Sequence, residues 1–366
     1  MPVSSSSTNR VTFGAAPRRA VALAVLLAAA LLAAPGPADA RAPRDFFGVS
    51  AVDPAANDFN RMGKGRVGTY RLLLNWASVQ PEEGQAYDWS GPDGEIAAAA
   101  RNGIQLLPYL YGSPAFAAAT PQTPPLGSAA ARTGWQAFVA AAVRRYGPGG
   151  EFWRLNPQIP PRAVKWWQVW NEMNASAFYT GPSPQGYADL LHITRTAIKG
   201  VHPRAKLVLG GMYGYPNGDG SIHSQDFLKR LYEIKSVKKD SDAIAMHPYG
   251  GTIRLMRFQI KQARRIMNRE GDRKAAIFVS EIGWSTDGPP GWPIVTSHGG
   301  QAKKLRQAFE MLLENRKRWK IERVVWFAWR DFDADVCQWC SDAGLITRTG
   351  DPKPAWREFT KFTGGS

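Results

Sequence analysis

Two cysteines in a chain of 366 residues are too few for a disulfide-stapled miniprotein, and two thiolates cannot complete a structural zinc site. They stand as Cys337-x-x-Cys340, outside the strand–helix–strand setting of a thioredoxin-like redox pair. In an oxidising compartment the pair is expected as a small-loop disulfide that stiffens the loop after Phe332. Histidine is also scarce. His192, His202, His223, His247 and His298 form no close ligand pair along the chain, which argues against a metal-dependent hydrolase. No internal repeat and no Gly/Ser-rich linker divides the chain, so one domain is expected. Beyond residue 40 no run approaches about eighteen apolar residues, so no stable membrane span is expected there. What is present is a 44 % hydrophobic composition, which excludes a disordered chain. The 36 Gly and 27 Pro exclude a coiled coil, and the glycines follow no collagen period.

The first 40 residues read as an export signal. Arg10, Arg18 and Arg19 form a positive leader, Ala20 to Ala34 is an unbroken apolar run, and Ala38-Asp39-Ala40 offers small residues at a cleavage site. The run is short for an uncleaved anchor, so a secreted mature chain of residues 41–366 is expected. Net charge is +16 for the whole chain and +14 after residue 40. Much of it lies in Arg254–Lys274 and Lys303–Arg323, two amphipathic helical stretches. Met256, Ile260, Ala263 and Met267 form the apolar stripe of the first, and Leu305, Phe309 and Leu312 that of the second. Their basic faces are either solvated outer surfaces or points of attraction to an anionic cell wall or acidic polymer. No nucleic-acid partner is expected of an exported chain without a recognition motif.

Short apolar runs alternate with amphipathic stretches along the whole mature chain. Strands are expected at Phe46–Val52, Val67–Trp76, Ile104–Tyr111, Val164–Trp170, Lys206–Met212, Ala243–His247, Ala276–Ser280 and Val324–Trp329. Most are continuously apolar, as strands buried on both faces must be. Helical segments lie between them. Ser183-Pro184 supplies an N-cap and first-turn proline for one that runs to Val201. This order predicts an α/β protein, a single (β/α)₈ TIM barrel. A doubly wound sheet is the rival, but it usually carries a glycine-rich first turn, and Asp53-Pro54 stands there instead. A barrel puts its chemistry on the loops after the strands.

Two of those loops begin with a glutamate. Strand four ends Trp170-Asn171-Glu172 and strand seven ends Ser280-Glu281-Ile282-Gly283-Trp284. A carboxylate at the end of a buried strand is expensive and calls for a role. Cleaving a glycosidic bond needs such a pair, one acid to protonate the leaving oxygen and one carboxylate to attack carbon or activate water. These motifs resemble those of glycoside hydrolase clan A, with families 5 and 39 nearest in character. Strand two agrees in Gly68 to Trp76, followed by Val79-Gln80-Pro81 and Tyr87-Asp88-Trp89, as does His247-Pro248-Tyr249 after strand six. The likeness covers nearly all of the mature chain. It implies a retaining mechanism without cofactor or metal, on an oligo- or polysaccharide, with Glu172 as acid/base and Glu281 as nucleophile. Arg71 and Tyr249 would keep Glu281 ionised, although Arg71 could instead sit in a barrel-core ion pair, and Asn171 would bond the sugar's 2-hydroxyl. His247, Tyr111, Trp284, Trp326 and Trp329 complete the expected sugar site, and His247 could also be a satisfied core histidine. Trp326 and Trp329 lie three apart on one strand and so face opposite ways; Trp326 is the one expected on the pocket floor. The chain departs from the family in having Tyr109 and Tyr111 where many family 5 enzymes have a histidine, and in Cys337-Gln338-Trp339-Cys340. A barrel that binds glycan or wall polymer without cutting it remains the alternative.

Overall fold

The near-continuous apolar runs become eight parallel strands that close on themselves in sequence order, β1 pairing both β2 and β8. The computed structural model describes residues 42–366 except 56, 219 and 336, and the expected signal at residues 1–40 lies outside the described residues. The strands are β1 (Phe47–Ser50), β2 (Thr69–Asn75), β3 (Gln105–Tyr111), β4 (Trp166–Val169), β5 (Lys206–Tyr213), β6 (Ala243–His247), β7 (Ala276–Ile282) and β8 (Ile321–Phe327). Between and after them run α1 (Asp58–Lys64), α2 (Trp76–Val79), α3 (Ser90–Arg101), α4 (Ala129–Tyr146), α5 (Glu151–Leu155), α6 (Pro184–Val201), α7 (Ser224–Glu233), α8 (Val237–Asp240), α9 (Ile253–Arg269), α10 (His298–Trp319) and α11 (Pro354–Thr363). Residues Pro43–Ser366 form one compact unit. Among the described residues no helix is long and apolar enough to cross a membrane.

Local chemistry starts the long helices. Ser128, Ser183, Thr252 and Ser297 each accept a hydrogen bond from a backbone N–H of the first turn, on α4, α6, α9 and α10. Met256, Ile260, Ala263 and Met267 of α9 are buried, as are Leu305, Phe309 and Leu312 of α10. Each larger side chain in these stripes contributes about 1.5–3 kcal/mol. The second basic stretch is not one helix to Arg323. Lys320 adopts a left-handed backbone (φ 53°) that ends α10, so β8 begins at Ile321, earlier than the apolar run alone indicates. β7 is longer than expected and reaches Ile282 through register shifts against β8.

The barrel interior is filled. Leu107, Val208, Ala243, Ala245 and Phe278 pack together, joined by Trp166 and Ala276. Toward the amino ends of the strands a cavity of about 150 Å³, lined by Asp45, Thr69, Gln105 and Arg323 among others, lies against this plug. Toward the carboxyl ends the inward side chains turn polar.

Candidate active site

Arg71 is the hub of that polar layer. Its guanidinium is 1 % exposed and points inward from the middle of β2. Nη1 donates to Glu281 Oε1 (2.6 Å), Nη2 to Asn171 Oδ1 (2.8 Å) and Nε to Gln168 Oε1 (2.8 Å). Its planar face lies over the Tyr109 ring, 4.0 Å from the centroid. Arg71 therefore does sit in a core ion pair, and its partner is the strand-seven glutamate. Tyr249 OH donates to the other oxygen, Glu281 Oε2 (2.9 Å). Glu281 and its neighbour Ser280 both turn inward, which a regular strand forbids. The register shift between Val279 and Ile282 allows it.

Glu172 reaches the same place from the end of β4. The chain turns sharply there, with Trp170 (φ 68°) and Glu172 (φ 41°) both in the left-handed region that side chains with a Cβ rarely adopt. His247 Nδ1 lies 2.6 Å from Glu172 Oε1 and 3.5 Å from Glu281 Oε2. Its ring fits only because position 211 is glycine. A Cβ there would come within 1.9 Å of His247 Nε2. Gln259 of α9, buried, donates to the backbone oxygen of Tyr249 and steadies that residue from behind.

The two carboxyls share a site but not an environment. An oxygen of Glu172, an oxygen of Glu281 and His247 Nδ1 all lie within 4.8 Å of one another. Burial, reinforced by the charge of Glu281, pushes Glu172 well above the usual carboxylate range, against the weaker pull of Arg71. Burial also raises Glu281, but there the Arg71 cation and the Tyr249 hydroxyl act directly to keep it charged. The stronger upward push therefore falls on Glu172, while Arg71 and Tyr249 favour the charged form of Glu281. Burial and then Arg71 hold His247 well below its ordinary value, so it is neutral. Burial pushes the Tyr109 phenol up to about 12, and burial followed by the charge of Glu172 does the same for Tyr213. Glu172, His247 and Glu281 also have the chemistry of a metal-ligand set. The fixed Arg71 cation, 2.6 Å from Glu281, occupies the charge that a metal ion would need.

The aromatic residues divide differently from expectation. Tyr111 is half-buried at the site end of β3, its ring 4.6 Å from Trp170 and its hydroxyl donating to Phe178 O. Trp284 is 1 % exposed and its Nε1 donates to Gly250 O, so its ring is consumed by packing. Trp326 is fully buried against Trp284 and Phe309 of α10, with Nε1 donating to Ala343 O. It faces the helix layer and does not line a pocket floor. Trp329 packs edge-on against Trp356 of α11, also fully buried. With Trp326 turned outward, alternation brings half-buried Phe327 inward. Cys337 and Cys340 are joined by a disulfide. Between them half-buried Trp339 stands edge-on to Tyr249, centroids 5.1 Å apart, in an apolar cluster with Phe327 and Phe332. The site also holds Gln168, Ser280, Tyr109, Phe327 and Trp339, which no catalytic motif marks. The signal that could have found Gln168 and Ser280 is a lone polar residue inside an apolar strand.

No protein-family model and no curated protein sequence matches the chain. Solved structures do match in fold. One is a family 39 glycoside hydrolase from the gut symbiont Bacteroides cellulosilyticus, with 20 % identity over 89 % of this chain and 64 % of that one, at a TM-score of 0.64. A monomeric β-xylosidase from Caulobacter crescentus matches at 16 % identity over 87 % of this chain and 68 % of that one, TM-score 0.62. A GH5_18 protein from Bifidobacterium longum subsp. longum, in complex with Manβ1-4GlcNAc, matches at 13 % identity over 87 % and 78 %, TM-score 0.65. This chain thus spans about two thirds of the length of the first two, and what it shares with all three is the (β/α)₈ barrel.

Proposed function

We propose that the protein is a retaining β-glycoside hydrolase of clan A, acting on oligo- or polysaccharides. The observation that carries the reading is the spacing and asymmetry of Glu172 and Glu281. One oxygen of each lies within 4.8 Å of the other, a close approach in keeping with the carboxyl pair of double displacement, whose groups stand ~5–5.5 Å apart, and not with the ~6.5–9.5 Å that seats a water between them. In the first step a Glu281 oxygen bonds to the anomeric carbon as the carbon–oxygen bond to the leaving group breaks. That bond's electron pair goes to the leaving oxygen, which takes the proton of Glu172. Once Glu281 is esterified its negative charge is gone, so Glu172 is free to remain ionised and act as base. It takes a proton from water, whose oxygen bonds to the anomeric carbon and releases Glu281. Asn171, whose side-chain oxygen accepts from Arg71, would bond the sugar's 2-hydroxyl.

Proteins that share this fold include a β-xylosidase, a glucosidase and an exo-β-1,4-mannosidase, so β-linked xylose, glucose and mannose are the first candidates. The leader-like residues 1–40 and the disulfide support a secreted protein. The exposed Arg254, Lys261 and Arg265 of α9 and Lys303 and Arg306 of α10 fit attraction to an anionic wall polymer, which salt-sensitive retention on such a polymer would test. The test of the activity is incubation with 4-nitrophenyl β-xyloside, β-glucoside and β-mannoside and with wall polysaccharides, beside Glu281→Ala. Turnover by the unmutated protein alone, with the β-anomer seen first by NMR, supports the reading. Binding without turnover selects the non-catalytic alternative.

A further inference from the structure

Four buried polar side chains stand in line behind Glu172, and their hydrogen-bonding roles are determined from one end. Arg71 Nε–H can only donate, so the Gln168 atom facing it at 2.8 Å is the carbonyl oxygen. The Gln168 amide nitrogen then faces Leu209 O (3.3 Å) and Ser280 Oγ (3.2 Å), and its two N–H groups serve both. The opposite orientation would set donor against donor at Arg71 and acceptor against acceptor at Leu209. Ser280 Oγ therefore accepts from Gln168, and its own proton needs an acceptor. Ser280 is fully buried, and its remaining hydrogen-bond partner is His247 Nε2 at 3.0 Å. If His247 carried a proton on Nε2, the serine hydroxyl would be left without an acceptor in the barrel interior.

We infer that Arg71, Gln168 and Ser280 form a relay that fixes His247 as the Nδ1–H tautomer, so that Glu172 Oε1 accepts from His247 and the proton used in catalysis is carried on Oε2. The neutrality of His247 follows independently from its burial beside Arg71. The alternative tautomer would reverse the 2.6 Å contact at Nδ1 and commit the Glu172 proton to the imidazole instead of the leaving group. Gln168 and Ser280 are thereby positioning residues. They touch no reacting atom but decide which oxygen of the acid faces the substrate. Glu281 Oε2 lies 3.5 Å from the same Nδ1, so the nitrogen protonated in this tautomer stands close to both carboxyls.

The tautomer can be observed without any substrate. The ¹⁵N chemical shifts of uniformly labelled full-length protein near neutral pH, with the His247 signals assigned by their loss in His247→Gln, should show a protonated Nδ1 and an unprotonated Nε2. A protonated Nε2 overturns the relay. The consequence for the acid rests on the glycosidase reading and is tested with Ser280→Ala and Ser280→Cys. Ser280→Ala should lose about tenfold in kcat/KM on a phenyl β-glycoside, whose leaving group needs the proton. It should change less than about twofold on the 2,4-dinitrophenyl glycoside, whose leaving group does not. Ser280→Cys, which keeps a donor, should recover most of the loss. Equal losses on both substrates overturn the positioning role. If the unmutated protein cleaves neither substrate, the glycosidase reading falls while the ¹⁵N spectrum still decides the tautomer.

Discussion

Replacing Arg71 with methionine tests the electrical asymmetry on which the acid–anion assignment rests. Methionine is close in bulk but carries no charge, so the change removes the cation 2.6 Å from Glu281 Oε1 and leaves the carboxyl buried. At an effective dielectric of about 20, that contact corresponds to roughly 6 kcal/mol of Coulomb attraction. Much of it is offset by the desolvation that Arg71 itself suffers. Breaking a buried pair from one side typically costs about 3–5 kcal/mol net. Arg71 lowers the proton affinity of both carboxyls, so both rise when it is lost, Glu281 more because Arg71 touches it. The active form needs Glu281 ionised and Glu172 protonated. The acid limb of the kcat/KM profile on a 4-nitrophenyl glycoside should therefore move to higher pH, the alkaline limb should follow less, and the bell should narrow. Activity at neutral pH should fall by about 10²-fold or more. Stability gives a second readout. A carboxyl whose folded pKa lies above its unfolded value binds the proton more tightly when folded, so stability falls as pH rises between those two values. The thermal deficit of Arg71→Met should thus be smallest in acid and widen toward neutrality. An unchanged acid limb together with a deficit independent of pH would refute the reasoning.

Four further outcomes follow from the same geometry. Glu281→Ala should abolish turnover, by on the order of 10⁵-fold, on every aryl glycoside, whereas Glu172→Ala should largely spare kcat/KM, which reports the first step, on 2,4-dinitrophenyl glycosides and lose it on phenyl ones; a uniform loss of kcat/KM in Glu172→Ala would reverse its assignment as acid. Chelation with EDTA should leave both kcat and melting temperature unchanged, because Arg71 supplies the positive charge at Glu281; restoration of a lost activity by added metal would contradict this. Trp339→Ala should raise KM several-fold, as expected for loss of an aromatic contact of about 0.5–1.5 kcal/mol, while Trp339→Phe keeps most of the affinity; an unchanged KM removes Trp339 from the site. Lys353 Nζ is buried and donates to Asp331 Oδ1, Thr286 Oγ1 and Asp342 O, pinning the loop after β8 to the loop after β7. Lys353→Met strands Asp331 and should cost about 3–5 kcal/mol, seen as a lower melting temperature, and Lys353→Met with Asp331→Leu should recover much of it; equal losses in the single and double variants would deny the pair.

The barrel was legible because strands buried on both faces leave an almost unbroken apolar record, and because caps such as Ser183-Pro184 mark helix starts. Glu172 and Glu281 stood out as charges at the ends of such runs, and the structure brings them together with Arg71, Asn171, His247 and Tyr249. What was not legible depends on absolute facing. Period-two alternation separates Trp326 from Phe327 but does not say which of them points at the axis, and a tryptophan is as useful to the helix layer as to a sugar. Here Trp326 meets Phe309, and the inward place falls to Phe327. At β7 alternation itself fails, since the register shift turns adjacent Ser280 and Glu281 the same way. The path of the loop that sets Trp339 beside Tyr249 follows no period at all. Yet Gln168 in Trp166-Trp167-Gln168-Val169-Trp170 and Ser280 in Ile277-Phe278-Val279-Ser280 carry a signal that needs no knowledge of facing. An amide or hydroxyl inside a strand covered on both sides cannot reach water, so it must be answered by another buried polar group. Two such residues on strands four and seven of a closed barrel have its interior in common, and there each is the partner that the other requires.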